Sequence, residues 1–354
     1  MKAVRFGNRI VGPGHPCYVI AEIGVNHNGD LAAARALVTA AKACGADCAK
    51  FQTFRASALA TPGAAKAPYQ RRTTGSRESQ RDMLQRLELT REQHQELMAL
   101  CAQQGIDFLS TPYGEADARL LEQLGVGAFK IPSALIVEPQ FLSVIASFGK
   151  PMIMSTGMAT MEEVQQAVSA VRGAGNDDVV LLQCTTEYPT DSADANVRVM
   201  QTLAAAFGVP VGFSDHTRSL TASIVAVALG ASVVEKHLTL DTSLEGPDHA
   251  ASADPAEFSR LVVGIREAER SLGDTEKKPT PAERENLVAM RRSIVSSISI
   301  RAGAVVDASM LTIKRPATGI PPKDLSRVLG SRARVEIASD CPLEWWMLER
   351  VEHH

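Results

Sequence analysis

The chain has 354 residues, 45% of them hydrophobic and 22% charged, with a net charge of −3. That is enough for one large domain and a small one, and it supplies no global basic field to draw nucleic acid or an anionic membrane surface. No apolar run approaches the roughly 20 residues that a membrane-crossing helix requires.

The opening MKAVRFGNRIVGPGHP lacks a signal-peptide core and reads as a small hairpin plugging one end of the large domain. The six cysteines, Cys17, Cys44, Cys48, Cys101, Cys184 and Cys341, form no CxxC pair. Most lie in apolar stretches, which points to buried thiols in a reducing compartment and hence to a cytoplasmic protein. Residues 351–354, VEHH, read as the start of a tag.

From residue 18 one pattern repeats. A short apolar run ends in a polar cluster, a segment of helical period follows, and a glycine precedes the next run. Strands are predicted at 18–23, 48–52, 107–111, 128–131, 152–155, 179–184, 211–214 and 232–236. Helices are predicted at 31–44, 91–104, 115–124, 139–148, 161–173, 197–207, 220–229 and 255–272. Eight such units fit a (β/α)8 TIM barrel over residues 1–272. A doubly wound open sheet would call for a phosphate-binding glycine fingerprint, which the chain lacks.

Residues 55–88, a basic and turn-rich insertion after the second strand, read as a cap over the site. Residues 273–292 are charged and proline-containing, and read as a linker. Residues 293–301 are β-branched and serine-rich, and 293–350 reads as a small β-rich domain expected to lean on the barrel or on another subunit.

Barrel enzymes place their sites at the C-terminal ends of the strands. Those ends carry Glu22, Asn26, His27 and Asn28; Lys50 and Gln52; Ser110 and Thr111; Lys130 and Ser133; Ser155 and Thr156; Gln183 and Thr185; Ser214, Asp215 and His216; and Glu235, Lys236 and His237. Burying lysines is costly unless an anion meets them. Lys50 and Lys130, with the hydroxyls of Thr111, Ser133, Ser155 and Ser214, suit a substrate bearing phosphate and carboxylate. A Schiff-base lysine is the competing reading, although it would want one desolvated amine rather than two beside hydroxyls.

The stretch 212–237, GFSDHTRSLTASIVAVALGASVVEKH, is a strand–helix–strand unit whose parallel strands each end in a histidine. His216 and His237 can hold a divalent metal in an open site or sit hydrogen-bonded at the rim. With oxygen ligands completing the site, Mn²⁺ or Mg²⁺ is favoured, while imidazole also accepts Zn²⁺ or Co²⁺. Among the other histidines, His94 reads as solvated on a helix and His15 as part of a Gly-Pro turn. His27 and His249 read either as site wall or as loop packing.

AEIGVNHNGDL, KFQTF, FLSTPY, FKIPS, MSTGMAT, EYPT, GFSDHT, EKHLTLD and GPDH occur in this order. With them the chain resembles the sialic acid synthase family, which makes nonulosonic acids such as N-acetylneuraminate and N,N′-diacetyllegionaminate. The tail RAGAVVDASMLTIKRPATGI resembles the antifreeze-like SAF domain of that family.

The resemblance implies condensation of phosphoenolpyruvate with an N-acylated hexose, either N-acetylmannosamine or 2,4-diacetamido-2,4,6-trideoxymannose, with release of phosphate. It implies that Lys50, Gln52, Thr111, Lys130, Ser133, Ser155 and Ser214 bind phosphoenolpyruvate, and that His216 and His237 hold the metal, foremost Mn²⁺. Glu22 would hold a sugar hydroxyl or take part in proton transfer, while Tyr188, Asp248 and Thr186 line the sugar site. Arg315 would reach the acyl group from the partner subunit of a domain-swapped homodimer. Two positions depart from the family pattern: Leu135 stands where a carboxylate is usual, and Thr186 where neuraminate-type members carry asparagine. The competing functions are another phosphoenolpyruvate-condensing 3-deoxy-ulosonate synthase, which would not explain the tail, and a barrel that has lost turnover.

Overall fold

The computed structural model describes residues 2–7 and 9–350; residues 351–354, which read as a tag remnant in sequence, lie outside the described residues. A hairpin of β1 (Val4–Phe6) and β2 (Arg9–Val11) comes first, with Val4 opposite Val11. Eight strands follow: β3 (Tyr18–Gly24), β4 (Cys48–Thr53), β5 (Asp107–Pro112), β6 (Phe129–Ile131), β7 (Met152–Ser155), β8 (Val179–Cys184), β9 (Val211–Asp215) and β10 (Val233–His237). They form one parallel sheet in the order β5-β4-β3-β10-β9-β8-β7-β6. Pairing of β3 with β10 curls the sheet into a TIM barrel that lacks a backbone ladder between β5 and β6 among the described residues.

After β3 comes α1 (Leu31–Ala43). The insertion after β4 holds three short helices, α2 (Ala56–Leu59), α3 (Pro68–Thr74) and α4 (Gln80–Gln85), where the sequence reading expected turns. The barrel helices continue with α5 (Arg91–Gln104), α6 (Glu115–Leu124), α7 (Pro139–Ala146), α8 (Met161–Gly173), α9 (Val199–Phe207), α10 (Thr221–Ala228) and α11 (Pro255–Leu272). Their ends are written in the sequence. Thr90 with Gln93, Thr160 with Glu163 and Asp254 with Glu257 form capping boxes that satisfy first-turn amides at α5, α8 and α11. Gly105, Gly125 and Gly208 close helices in the left-handed conformation.

Strand residues alternate between two cores. Tyr18, Ile20, Cys48, Leu109, Ile153, Val180, Leu182 and Val233 fill the barrel interior, with Val4, Phe6 and Val11 of the hairpin packed among them. Val19, Phe51, Phe129, Leu181, Phe213 and Val234 face outward into the larger core beneath the helices. The hairpin's side chains fill the N-terminal end of the barrel interior, and a cavity opens at the C-terminal ends of the strands.

The chain divides after Gly273 into two compact units. In the second, α12 (Pro281–Met290) corrects the reading of 273–292 as a plain linker. Thr280 and Glu283 form a capping box around Pro281 at the first turn, so this charged stretch starts a helix despite its composition. Four further strands pair antiparallel: β11 (Ser293–Ser296) with β12 (Leu311–Lys314), and β13 (Arg332–Ala333) with β14 (Leu348–Glu349). Ile294, Ile300, Val306, Ile320, Val328 and Leu343 form this unit's own core. Among the described residues no helix is long and apolar enough to cross a membrane.

Candidate active site

The two-residue alternation of a strand sorts the polar residues at the barrel mouth. On β10, Glu235 and His237 point inward while Lys236 points outward. Lys236 Nζ lies 3.1 Å from Asp215 Oδ2 and donates to the Thr217 carbonyl at 2.7 Å. Asp215 also accepts from Ser223 Oγ of α10 at 2.6 Å. This buried pair fastens β9 and β10 to α10 and stands outside the cavity. Ser110 bonds Thr53 on the outer face, and Gln183 donates to the Ala195 carbonyl. Of the strand-end polar residues named from the sequence, the inward set therefore faces the cavity, and Lys236, Asp215, Ser110 and Gln183 do not.

That inward set lines a cavity of about 370 Å³, within the range of about 300–1,000 Å³ usual for small-molecule sites. Glu22, Lys50, Gln52, Thr111, Lys130, Ser133, Ser155, Ser214, His216 and His237 all line it, as do Thr186, Tyr188 and Asp248 from the loops. Arg315 belongs to the second unit, where its Nε donates to the Met290 carbonyl at 3.0 Å.

The floor is a compact charge cluster. Lys50 Nζ lies 2.7 Å from Glu22 Oε2 and 3.6 Å from Glu235 Oε1, and donates to Thr111 Oγ1 at 3.2 Å. Lys130 Nζ donates to Ser155 Oγ at 2.8 Å and lies 3.5 Å from the same Glu235 oxygen. Ser214 Oγ donates to Glu235 at 3.1 Å, and Gln52 Nε2 to Glu22 at 3.0 Å. Burial works against every one of these charges. For Lys50 the nearby Glu22 and Glu235 outweigh it and hold the ammonium above its usual value. Lys130, with burial dominant and Lys50 close by, is held below. For Glu235 burial is outweighed by Lys130 and Lys50, so its carboxyl is held low, whereas burial keeps Glu22 high. Asp248, buried and facing the charge of Glu22, is pushed up to about 7.

Next to this cluster stand the two histidines, ring centroids 5.4 Å apart. His216 Nδ1 lies 2.7 Å from the Thr185 carbonyl, a contact that needs the proton on Nδ1 and leaves Nε2 as an acceptor. Burial pushes His216 down to about 4 and His237 well below its usual value. His237 Nδ1 is buried with no hydrogen-bond partner among the described residues. Both rings are neutral bases near neutral pH.

On another wall, Ser133 Oγ accepts from Gly157 N at 2.9 Å and lies 3.0 Å from Cys184 Sγ. Gly157 is required there: a Cβ would stand 2.3 Å from Thr186 Oγ1, 2.7 Å from Cys184 Sγ and 2.8 Å from Ser133 Oγ. Leu135 lines the cavity and also packs into the outer core, while Glu138 is exposed at the start of α7 and does not line it. The carboxylates at hand among the described lining residues are Glu22, Glu235 and Asp248.

The insertion contributes Leu59, Ala67, Tyr69, Gln70, Gln80, Met83 and Leu84 to the lining, so it does cap the cavity. Tyr69, Gln70, Gln80, Tyr113 and Glu235 are site residues to which the sequence reading gave no role. For Glu235 the signal was available: it is two residues before His237 on the same strand and so must share its face. His94 corrects another expectation. It is fully buried, bonded to Thr53 Oγ1 at 2.8 Å and to the Thr90 carbonyl at 2.8 Å, because its face of α5 packs on β4. His27 and His249 pack within loops, His249 Nδ1 lying 2.6 Å from Thr239 Oγ1. His15 is exposed, and five of the six cysteines are buried and free.

A barrel whose strand ends gather two lysines, two carboxylates, two neutral imidazoles and a row of hydroxyls around one capped cavity is an enzyme of the (β/α)8 class. The NeuB family model matches residues 37–277 and the SAF domain model residues 291–349. The chain is 43% identical over 342 residues to N,N′-diacetyllegionaminic acid synthase of Legionella pneumophila, covering 96% of each chain. It is 43% identical to the Campylobacter jejuni enzyme of the same name, covering 91% of this chain and 97% of that one. Among solved structures, N-acetylneuraminic acid synthetase of Leptospira borgpetersenii superposes with a TM-score of 0.71 at 29% identity, covering 80% of this chain and 95% of that one. The chain belongs to the NeuB family.

Proposed function

We propose that this chain is a nonulosonic acid synthase. It joins C3 of phosphoenolpyruvate to the aldehyde carbon of an N-acylated hexose, water supplies the oxygen at C2, and phosphate leaves by C–O cleavage. The acceptor is 2,4-diacetamido-2,4,6-trideoxymannose and the product N,N′-diacetyllegionaminic acid, as the names of the two 43%-identical relatives suggest.

The observation that carries this reading is the pair of buried lysines, Lys50 and Lys130, set among hydroxyls in a cavity with room for a second substrate. Two ammonium groups are suited to the carboxylate and phosphate of one small substrate. Lys50, Gln52, Thr111, Lys130, Ser133, Ser155 and Ser214 bind phosphoenolpyruvate. Tyr188, Asp248 and Thr186 face the sugar; the Thr186 hydroxyl is buried and without a partner among the described residues, which suits a ligand atom. Lys50 and Lys130 are the described cations of the lining besides the histidines, and both are engaged at the floor, which supports an acceptor carrying no phosphate. Proton handling falls to Glu22, Glu235 or Asp248, since Leu135 supplies none.

The residues present fit a divalent metal. His216 keeps a free Nε2, and His237 carries a buried nitrogen that lacks a partner. No cluster of three or more His, Cys, Asp or Glu forms a cage among the described residues, so water and substrate oxygens would complete the site. Mn²⁺ suits this set, with Mg²⁺ or Co²⁺ as substitutes. When bound, such an ion polarises the sugar carbonyl as a Lewis acid. The division of labour follows the chain: residues 1–272 carry catalysis, and 293–350, joined by 273–292, supply Arg315 to the partner's site in a swapped homodimer. The free, buried cysteines support a cytoplasmic location.

The test is phosphate release from phosphoenolpyruvate and Mn²⁺ with 2,4-diacetamido-2,4,6-trideoxymannose, N-acetylmannosamine or mannose, each with and without EDTA. Release with the diacetamido sugar, abolished by EDTA, is expected. Release with N-acetylmannosamine at a higher kcat/KM overturns the acceptor, and none with any sugar overturns the reaction.

A further inference from the structure

Three of the four tyrosines in the chain, Tyr69, Tyr113 and Tyr188, line the cavity. Tyr69 comes from the capping insertion. Its ring lies 4.7 Å from that of Tyr188, which in turn lies 4.2 Å from His216. An aromatic column thus runs from the cap to the metal-competent histidines.

The hydroxyl of Tyr69 is oriented by a short relay. Gln70 Oε1 accepts from Ala67 N at 3.0 Å and from Gln80 Nε2 at 3.1 Å. Two donors on one oxygen fix the amide, so its nitrogen faces Tyr69 and donates to the phenol oxygen at 3.4 Å. With its oxygen already accepting, Tyr69 keeps its own proton for a ligand. The relay is anchored from below. Lys66 Nζ, fully buried, donates to Thr74 Oγ1 at 2.9 Å, the Gly75 carbonyl at 3.1 Å and Glu78 Oε1 at 2.9 Å. Thr73 Oγ1 lies 3.3 Å from the Pro247 carbonyl, next to Asp248, and equally far from the Tyr69 and Gln70 carbonyls of its own helix, so α3 touches the barrel loop there.

Another stretch of the cavity wall is apolar. Val25, Phe54, Leu59 and Leu84 form an apolar cluster that also packs against Tyr113, and all four line the cavity. A sugar hydroxyl needs no such neighbour. An acylamino group does: it presents one carbonyl oxygen and one methyl group a few bonds apart.

We propose that Tyr69 is a specificity-determining residue whose hydroxyl donates to the carbonyl oxygen of an acylamino group on the acceptor, while Val25, Phe54, Leu59 and Leu84 receive its methyl. The assignment rests on the reading of this cavity as an acylated-hexose site. Gln70 and Lys66 act through Tyr69 and are positioning residues.

The experiment compares wild type, Tyr69→Phe and Gln70→Leu on the diacetamido sugar and on its de-acylated diamino counterpart, by turnover and by calorimetric titration. Tyr69→Phe is expected to raise KM and Kd for the acylated sugar about tenfold, as loss of one hydrogen bond does. It should leave KM for phosphoenolpyruvate and the Kd of the de-acylated sugar unchanged. Gln70→Leu is expected to shift the same constants in the same direction by a smaller factor. Equal changes for both sugars, or none, overturn the role of Tyr69. Should wild type turn over neither sugar, the reaction falls, and the calorimetric ratio still decides Tyr69: equal affinity of wild type and Tyr69→Phe for the acylated sugar overturns it.

Discussion

Lys50 Nζ stands 2.7 Å from Glu22 Oε2, a charged contact that joins the mouth ends of β4 and β3. The pair is held by charge, and both side chains are almost wholly buried. An anion arriving beside Lys50 meets an ammonium that already donates to Thr111 and faces the carboxylates of Glu22 and Glu235. Lys50→Met removes one charged contact, a loss of about 1.5–3 kcal/mol. KM for phosphoenolpyruvate in the phosphate-release assay should rise by about 10- to 100-fold. Glu22→Gln should act differently, lowering kcat about 100-fold with little change in that KM, because Glu235 still faces Lys50.

Gly157 has no room for a methyl group between Ser133, Cys184 and Thr186. Gly157→Ala forces one of these walls to move. Overpacking of this kind costs about 1–3 kcal/mol, to be read as a lowered Tm. Displacing Ser133 should also raise KM for phosphoenolpyruvate. A variant with unchanged Tm and KM would show that the turn yields freely.

The cap carries its own acid sensitivity. Hydrogen bonds from Arg86 and Lys66 hold the Glu78 carboxyl down at about 2, against 4.5 when free. Between those values the released segment binds more protons than the folded one. The anchoring contribution is therefore complete above about pH 4.5 and is lost as the pH falls towards 2. Amide exchange in α3 should accelerate selectively over that window. In Glu78→Gln the same amides should already exchange fast at pH 6 and respond little to acid.

His216 and His237 should be separable from the lysines by metal titration. Either histidine changed to alanine should weaken Mn²⁺ binding at least about tenfold and abolish phosphate release. Burial holds His216 at about 4, so protons compete with the metal mainly below that value rather than from 6.5 downwards. Mn²⁺ affinity should accordingly stay nearly flat between pH 5.5 and 8. A tenfold loss already at pH 5.5 would contradict the neutral state assigned to that ring.

The barrel was legible because each unit repeats the same local statement: an apolar run, a polar end, a capped helix and a glycine. Thr160 with Glu163 and Asp254 with Glu257 mark helix starts in plain sequence. Pairs were harder. Lys236 looks like Lys50 in sequence, a lysine closing an apolar strand, and the difference is one step of strand parity that sends it to Asp215 instead of the cavity. His94 was misread because its partners, Thr53 and Thr90, bond it into a buried face of a weakly amphipathic helix. The helices within the cap escaped because α2, α3 and α4 are each too short to show a period, and Lys66 finds its oxygens through tertiary folding alone.

The missing ladder between β5 and β6 has a consequence for how substrate and scaffold depend on one another. Thr111 stands on one border of that gap and Lys130 on the other. A small anion held by both would bridge β5 and β6, adding cross-strand bonds at a border where no backbone ladder forms among the described residues. Occupancy and structural integrity are then one equilibrium: the protein should melt later and breathe less along β5 and β6 whenever the anion is bound. Variants that loosen this seam should be recovered by substrate before they are recovered by any repacking of the core.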